Sequence, residues 1–116
     1  MVNINKVMVA GNLVREPETK QGTTGTVRTT FSIAVNRTWK NSNGEKSKDT
    51  NFFKILVWGS QGEACAKYLN KGNPVLVEGR LEIKSYQNNN NEQKYMTQII
   101  GENITFLPSG NATQSH

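Results

Sequence analysis

Residues Asn51–Trp58 (NFFKILVW) alternate so that Phe52, Lys54, Leu56 and Trp58 share one face of an extended chain and Phe53, Ile55 and Val57 the other, since strand side chains have a period of two. Val75–Tyr86 divides more cleanly. Val75, Val77, Leu81 and Ile83 point one way, and Leu76, Glu78, Arg80, Glu82, Lys84 and Tyr86 the other. In both runs the aromatic residues Phe52, Trp58 and Tyr86 fall on the face expected to meet water, each in phase with a lysine. Three further runs read as strands: Lys6–Leu13, Val27–Arg37 and Gln93–Phe106. In Val27–Arg37, Phe31, Ile33 and Val35 alternate against Ser32, Ala34 and Asn36.

Between these runs lie turn signals. A loop holds Glu16-Pro17 and Gly22–Gly25, and the polar connector Lys40–Asp49 contains Asn43-Gly44, a strong hairpin-turn pair. Gln87–Glu92 (QNNNNE) reads as the tip of another hairpin. One helix is predicted over Ser60–Asn70, with Ser60 and Glu63 at the spacing of a capping box and Gly72 and Pro74 as the stop. Ala64, Tyr68 and Leu69 fall on one side of it, and Cys65 reads as a small buried thiol. Gly79 inside a strand predicts a bulge or sharp bend, and Gly101 interrupts the last strand.

Three strands, a short helix and two more strands give an all-β chain in the order of the five-stranded Greek-key OB-fold barrel, whose helix links its third and fourth strands. An SH3-like barrel is the alternative; long central strands with a kinking glycine favour the OB fold. Residues 1–107 form one domain. Residues 108–116 (PSGNATQSH) carry no acidic or basic side chain besides the terminal His116 and read as a disordered tail.

Charge narrows the partner. The 116 residues carry 14 Lys and Arg against 9 Asp and Glu, a formal charge of +5 with an isoelectric point near 9.5. That balance favours nucleic acid first and an anionic membrane surface second. The single cysteine, Cys65, allows no internal disulfide, and with His116 as the lone histidine a Cys/His zinc site is excluded by counting. Neither a signal peptide nor a membrane span is legible, so a cytoplasmic protein is expected.

Catalytic patterns are absent. Gly22–Gly25 is not followed by the Gly-Lys-Ser/Thr of a phosphate-binding loop, no triad is available to a chain whose only histidine is terminal, and the nine carboxylates are scattered. The chain reads as a binder with no cofactor and no metal, not as an enzyme. An aromatic residue in a strand is more often core than contact. Three of them in phase with cations on a basic chain reverse that balance. Flat rings beside Lys and Arg suit single-stranded nucleic acid, whose bases stack at roughly 1–3 kcal/mol each while cations track the phosphates.

The residues also carry a family likeness. Asn5-Lys6-Val7 leading to Gly11-Asn12-Leu13, Trp39 closing the second strand, Thr50–Gly59, Tyr68–Gly72, Val77–Leu81 and the aromatic Tyr86 follow in order and spacing. Together they resemble the bacterial single-stranded DNA-binding proteins, homotetramers of OB folds, from Asn5 to about Phe106. The resemblance implies base stacking on Trp39, Phe52, Trp58 and Tyr86. It places cations along the strand path at Lys6, Lys54, Lys71, Lys84 and Lys94, to which Arg80 adds one on the face of Lys84. By parity Trp39 belongs with Phe31, Ile33 and Val35, so strand phase alone does not select it. Phe53 is either core or subunit contact.

The resemblance further implies sequence-tolerant binding and protection of single-stranded DNA in replication, recombination and repair at the nucleoid. Departures are Phe52 and Tyr86, where some relatives carry tryptophan, Glu82, where close relatives have a cation, and the absence of a long linker with an acidic tip. Replication and repair partners are therefore expected only if such a tip follows, and the chain reads as a truncated DNA-binding core. Rival readings are an OB-fold protein–protein adaptor of the primosome type and an RNA-binding OB module, which the 2′-hydroxyl separates.

Overall fold

A computed structural model describes residues 1–108; the expectation for the tail beyond Pro108 lies outside them. Six strands and one helix follow in the order β1 (Val7–Leu13), β2 (Glu18–Gln21), β3 (Val27–Lys40), β4 (Lys46–Trp58), α1 (Gly59–Tyr68), β5 (Pro74–Gln87) and β6 (Gln93–Phe106). The sheet order is β1-β5-β6-β4-β3-β2, and a β1–β3 pairing at Asn12–Ala34 and Leu13–Ile33 closes five of the strands into a barrel. β4 and β6 run parallel over Ile55–Val57 and Ile99–Gly101; the other ladders are antiparallel. This is the OB-fold barrel, with the helix between β4 and β5.

The core follows the expected alternation. Phe31, Ile33, Ile55, Val57, Val75, Val77 and Ile99 are each at most 4% exposed and pack with Leu13, Cys65 and Leu69. At Trp58 the chain turns out of β4 through Gly59, whose φ of +73° is the left-handed region that glycine enters freely. The helix then lies across one end of the barrel, burying Gly62, Cys65 and Leu69. Burial pushes the Cys65 thiol up to about 11, because the low-dielectric interior disfavours the thiolate.

A Cβ on Gly79 would collide with the Ile100 carbonyl, so the close approach of β5 to β6 requires glycine there. Glu78 pairs with Asn103 and Gly79 with Gly101, so the extra residue of this predicted bulge is Glu102 on β6. Gln61 fixes it from the helix. Its Nε2 donates to the Glu102 carbonyl at 3.1 Å and its Oε1 accepts from the Ile104 N–H at 2.6 Å.

Several expectations are corrected. The helix begins one residue before Ser60, with Trp58 at its N-cap and no side-chain cap, because the left-handed Gly59 makes the strand-to-helix turn without one. Tyr68 is 59% exposed and Gly62 takes the buried position instead. The connector Lys40–Asp49 is mostly strand. β3 and β4 run past the barrel as a two-stranded arm, and only Asn41–Glu45 forms the tip, with Gly44 at φ +79°.

The β5–β6 hairpin makes a second arm that ends in the same kind of loop. Asn41 Oδ1 accepts from the N–H groups of Asn43 and Glu45, as Asn88 Oδ1 does from Asn90 and Glu92. The run of asparagines is therefore an ordered turn, with Asn91 at φ +62° where the first arm has glycine. Beyond the barrel's end, inward phase no longer means burial. Leu81 and Ile83 follow Val75 and Val77 in phase yet are 43% and 67% exposed.

Candidate nucleic-acid interface

β2, which the sequence reading placed in a loop, builds one wall of the site. Its four residues pair with β3 so that Lys20 faces Arg28 and Glu18 faces Thr30. On the other edge of β3, Arg28 faces Trp58, Thr30 faces Leu56, Ser32 faces Lys54 and Ala34 faces Phe52. Directly opposed side chains stand about 5 Å apart on one face. The register therefore assembles Lys20, Arg28, Trp58, Lys54 and Phe52 on a single outer surface that three strands hold rigidly.

That surface is concave. Adjoining clefts run along it, one lined by Arg15, Glu16, Glu18, Thr30 and Lys54, the next by Lys20, Arg28, Lys54, Leu56, Lys84 and Gln98, and the last by Lys20, Arg28, the Gly22–Thr26 loop and Trp58. Leu56 shares the outward phase of Phe52 and Trp58 but is 3% exposed, because it forms the apolar floor of this groove. The opposite wall comes from the β5–β6 arm. Lys54 Nζ lies 3.7 Å from Met96 Sδ, and Met96 pairs with Lys84.

The aromatic rings are open. Phe52 is 67% exposed, Trp58 48%, Tyr86 52% and Trp39 41%. None is sealed in the barrel. Tyr86 follows Lys84 on the same face of β5 and pairs with Lys94. Trp39 is different. Since β3 continues to Lys40, strand phase still holds there, and the Trp39–Ser47 pair lies on the side of the arm opposite Phe52. The Arg37 guanidinium sits 5.1 Å from the centre of its ring, within cation–π range.

Of the cations singled out in the sequence, Lys54 and Lys84 line the groove. Lys94 stands beside Tyr86 on the arm. Lys6, Lys71 and Arg80 do not line the groove: Lys6 precedes β1, Lys71 follows the helix with its N–H on Glu16 Oε1 at 3.1 Å, and Arg80 is paired with Glu102 at 2.8 Å. Phe53, half-buried, packs against the core.

Missed in the sequence were Arg15, Lys20 and Arg28, together with Lys40, Lys46 and Lys48 on the β3–β4 arm. Lys40 faces Lys46, and Lys48 faces Thr38 on the same side as Phe52. Opposed like charges cost stability, so this pair signals an anionic partner. The signal was in the sequence, had Lys40–Asp49 been read as strand.

The arms differ in charge. The β3–β4 hairpin, Val27–Trp58, carries six Lys and Arg against two acids; the β5–β6 hairpin, Pro74–Phe106, carries three against four. Every ion pair among the described residues lies on the second: Arg80–Glu102, Lys84–Glu82 and Lys94–Glu92. Among the described residues no three His, Cys, Asp or Glu side chains group to hold a metal, and no helix is long and apolar enough to cross a membrane. Open rings beside a groove in which Lys20, Arg28 and Lys54 have no acidic partner within 4.0 Å among the described residues suit a flexible polyanion with exposed flat bases.

Known proteins agree with this geometry. A solved structure described as "Plasmodium falciparum SSB complex with ssDNA" superposes with a TM-score of 0.86 at 32% identity, covering 93% of this chain and 98% of that one. The single-stranded DNA-binding protein 1 of Clostridium acetobutylicum is 42% identical over 90% of this chain and 94% of its own length. That of Staphylococcus aureus strain Mu50 is 36% identical over 97% of this chain and 70% of its own. The profile of the single-strand binding protein family matches residues 4–107. With nearly the whole barrel matched, the chain belongs to the single-strand binding protein family.

Proposed function

We infer that this chain binds single-stranded DNA with little sequence preference and shields it during replication, recombination and repair. The observation that carries this is the groove itself, in which Lys20 and Arg28 share a cleft with exposed Trp58, Lys54 and Lys84 join them in the next, and exposed Phe52 lines a further cleft beside Lys54. Bases stack on Phe52 and Trp58, and further along on Tyr86 and Trp39. Every base has a flat face, so stacking discriminates little among sequences. Phosphates run past Arg28 and Lys54 and onward to Lys48, Lys46 and Lys40, displacing counterions as they bind. Lys84 meets the strand from the opposite wall of the groove, and Lys6, Lys71, Arg80 and Lys94 extend the path beyond it.

The protein acts as a homotetramer in the cytoplasm, at the nucleoid, without cofactor and without catalysing a reaction. A strand wrapped over several barrels gains avidity, because each further site binds at high effective concentration. Phe53, half-buried at the base of the β3–β4 arm, is the candidate subunit contact.

Titration with oligo(dT), oligo(U) and a duplex of equal length at one salt concentration tests the reading. Oligo(dT) binds tightest and quenches tryptophan emission, whereas the duplex, whose bases are already stacked, binds weakly. Equal affinity for duplex and single strand would remove stacking from the account. Preference for oligo(U) would make the partner RNA.

A further inference from the structure

One carboxylate is built into the wall that the β5–β6 arm gives the groove. Glu82 faces Gln98 across the β5–β6 ladder, and Gln98 Nε2 donates to Glu82 Oε1 at 2.7 Å. Gln98 is 4% exposed and lines the groove, so its amide has little freedom and the carboxylate it holds is fixed. Lys84 Nζ lies 3.9 Å from the same Oε1. Lys84 is the one Lys or Arg that this arm contributes to the cleft lined by Lys20, Arg28 and Lys54. One anchored carboxylate thus stands beside the cation that a phosphate would seek.

We propose that Glu82, clamped by Gln98, is an intramolecular competitor for Lys84 that limits how strongly the β5–β6 wall of the groove holds DNA. This rests on the groove being the DNA path and adds what sets its strength. A phosphate approaching Lys84 meets a carboxylate that cannot swing away, because its other partner is a buried amide. A mobile surface glutamate would rotate into solvent at little cost; this one keeps its charge in place. On the β3–β4 side Glu18 lines the same cleft, but Arg28 and Lys54 have no acidic partner within 4.0 Å among the described residues, so neither cation is tied as Lys84 is. The strand is therefore held firmly on one side and loosely on the other. Grip on a single wall lets bound DNA peel from the β5–β6 arm while staying attached to the β3–β4 arm. Glu82 is in this sense an affinity-setting residue and not a contact.

Glu82→Gln tests it, because the new side-chain carbonyl still accepts from Gln98. Binding of oligo(dT) is measured across a series of salt concentrations for the wild type, Glu82→Gln, Lys84→Gln and the double variant. The proposal expects Glu82→Gln to bind about three- to tenfold tighter at low salt. Its slope of log affinity against log salt steepens by about 0.7, the value for one more phosphate neutralised on a single strand. In the Lys84→Gln background the gain falls by more than half. Unchanged affinity and slope in Glu82→Gln, or the full gain without Lys84, overturns the proposal. A structural role for Glu82 would move the melting temperature of Glu82→Gln and leave the salt slope alone, which also overturns it. Failure of the wild type to bind oligo(dT) at all would instead overturn the reading of the groove.

Discussion

Arg28 stands directly opposite Trp58 on the β3–β4 ladder, and Lys20 stands opposite Arg28 on its other side. One row across three strands thus sets two cations beside an indole that is 48% exposed. The ring offers a stacking surface and the cations a place for the neighbouring phosphate. Neither residue has to move to make the other useful.

Arg28→Ala therefore removes one phosphate contact without disturbing the ring. Oligo(dT) affinity falls by about tenfold at low salt, and the slope against log salt becomes shallower by about 0.7. Trp58 emission is still quenched at saturation. A loss of affinity with no change of slope would mean that Arg28 positions Trp58 and does not touch phosphate. Titration at four or more salt concentrations distinguishes the two.

Gly62 sets helix propensity against packing. Alanine is favoured over glycine inside a helix by about 1 kcal/mol. Here, however, a Cβ would lie 2.6 Å from the Val57 carbonyl oxygen and 2.9 Å from Thr29 Oγ1. Backbone that closes a barrel yields little, so the clash prevails. Gly62→Ala lowers stability by about 1–3 kcal/mol, the usual range for overpacking, as chemical denaturation would record. Increased stability would show that the helix can lift from the barrel end at no cost.

Cys65 links stability to alkaline pH. Burial raises its folded-state value from 9.0 to about 11, so the native state binds the thiol proton more tightly than the unfolded chain. The stabilisation is complete below pH 9 and is lost as pH rises from 9 towards 11. A Cys65→Ala variant should lose less stability over that interval than the wild type does. Identical pH profiles for the two would assign the alkaline loss to other groups. Native protein at pH 8 should also resist thiol reagents until unfolded, because the reactive thiolate is scarce and shut away.

Much of the barrel was legible because burial imposes a period of two. Phe31, Ile33 and Val35, and Val75 and Val77, show it plainly, and the Gly79–Gly101 pair marked the bulge. What the sequence hid lies where burial stops imposing a pattern. β2 is Glu-Thr-Lys-Gln, all exposed, and is a strand only because β3 supplies a ladder for it. The two arms beyond the barrel are wet on both sides, so Lys46–Asp49 reads as loop and Leu81 and Ile83 read as core.

The site divides in the same way. Phe52, Trp58 and Lys54 were selected by phase in a run whose other face is largely buried, and Tyr86 and Lys84 by carrying the phase of Val75 and Val77 beyond the barrel. Lys20 and Arg28 need the β2 pairing to be recognised, and Trp39 needs the knowledge that β3 does not end at Arg37. The capping box failed for a local reason: a left-handed glycine at 59 already turns the chain, leaving Ser60 inside the first turn of the helix.

The central claim is that open rings and neighbouring cations share one strand of DNA, and the Phe52→Ala/Trp58→Ala double variant addresses it most directly. Both rings are exposed, so the fold should survive their loss. Oligo(dT) titration should show binding weakened by about 2–6 kcal/mol, from about 1–3 kcal/mol per stacked base. The salt slope should hold near its wild-type value, because the cations remain. Wild-type affinity in a folded double variant would contradict the account.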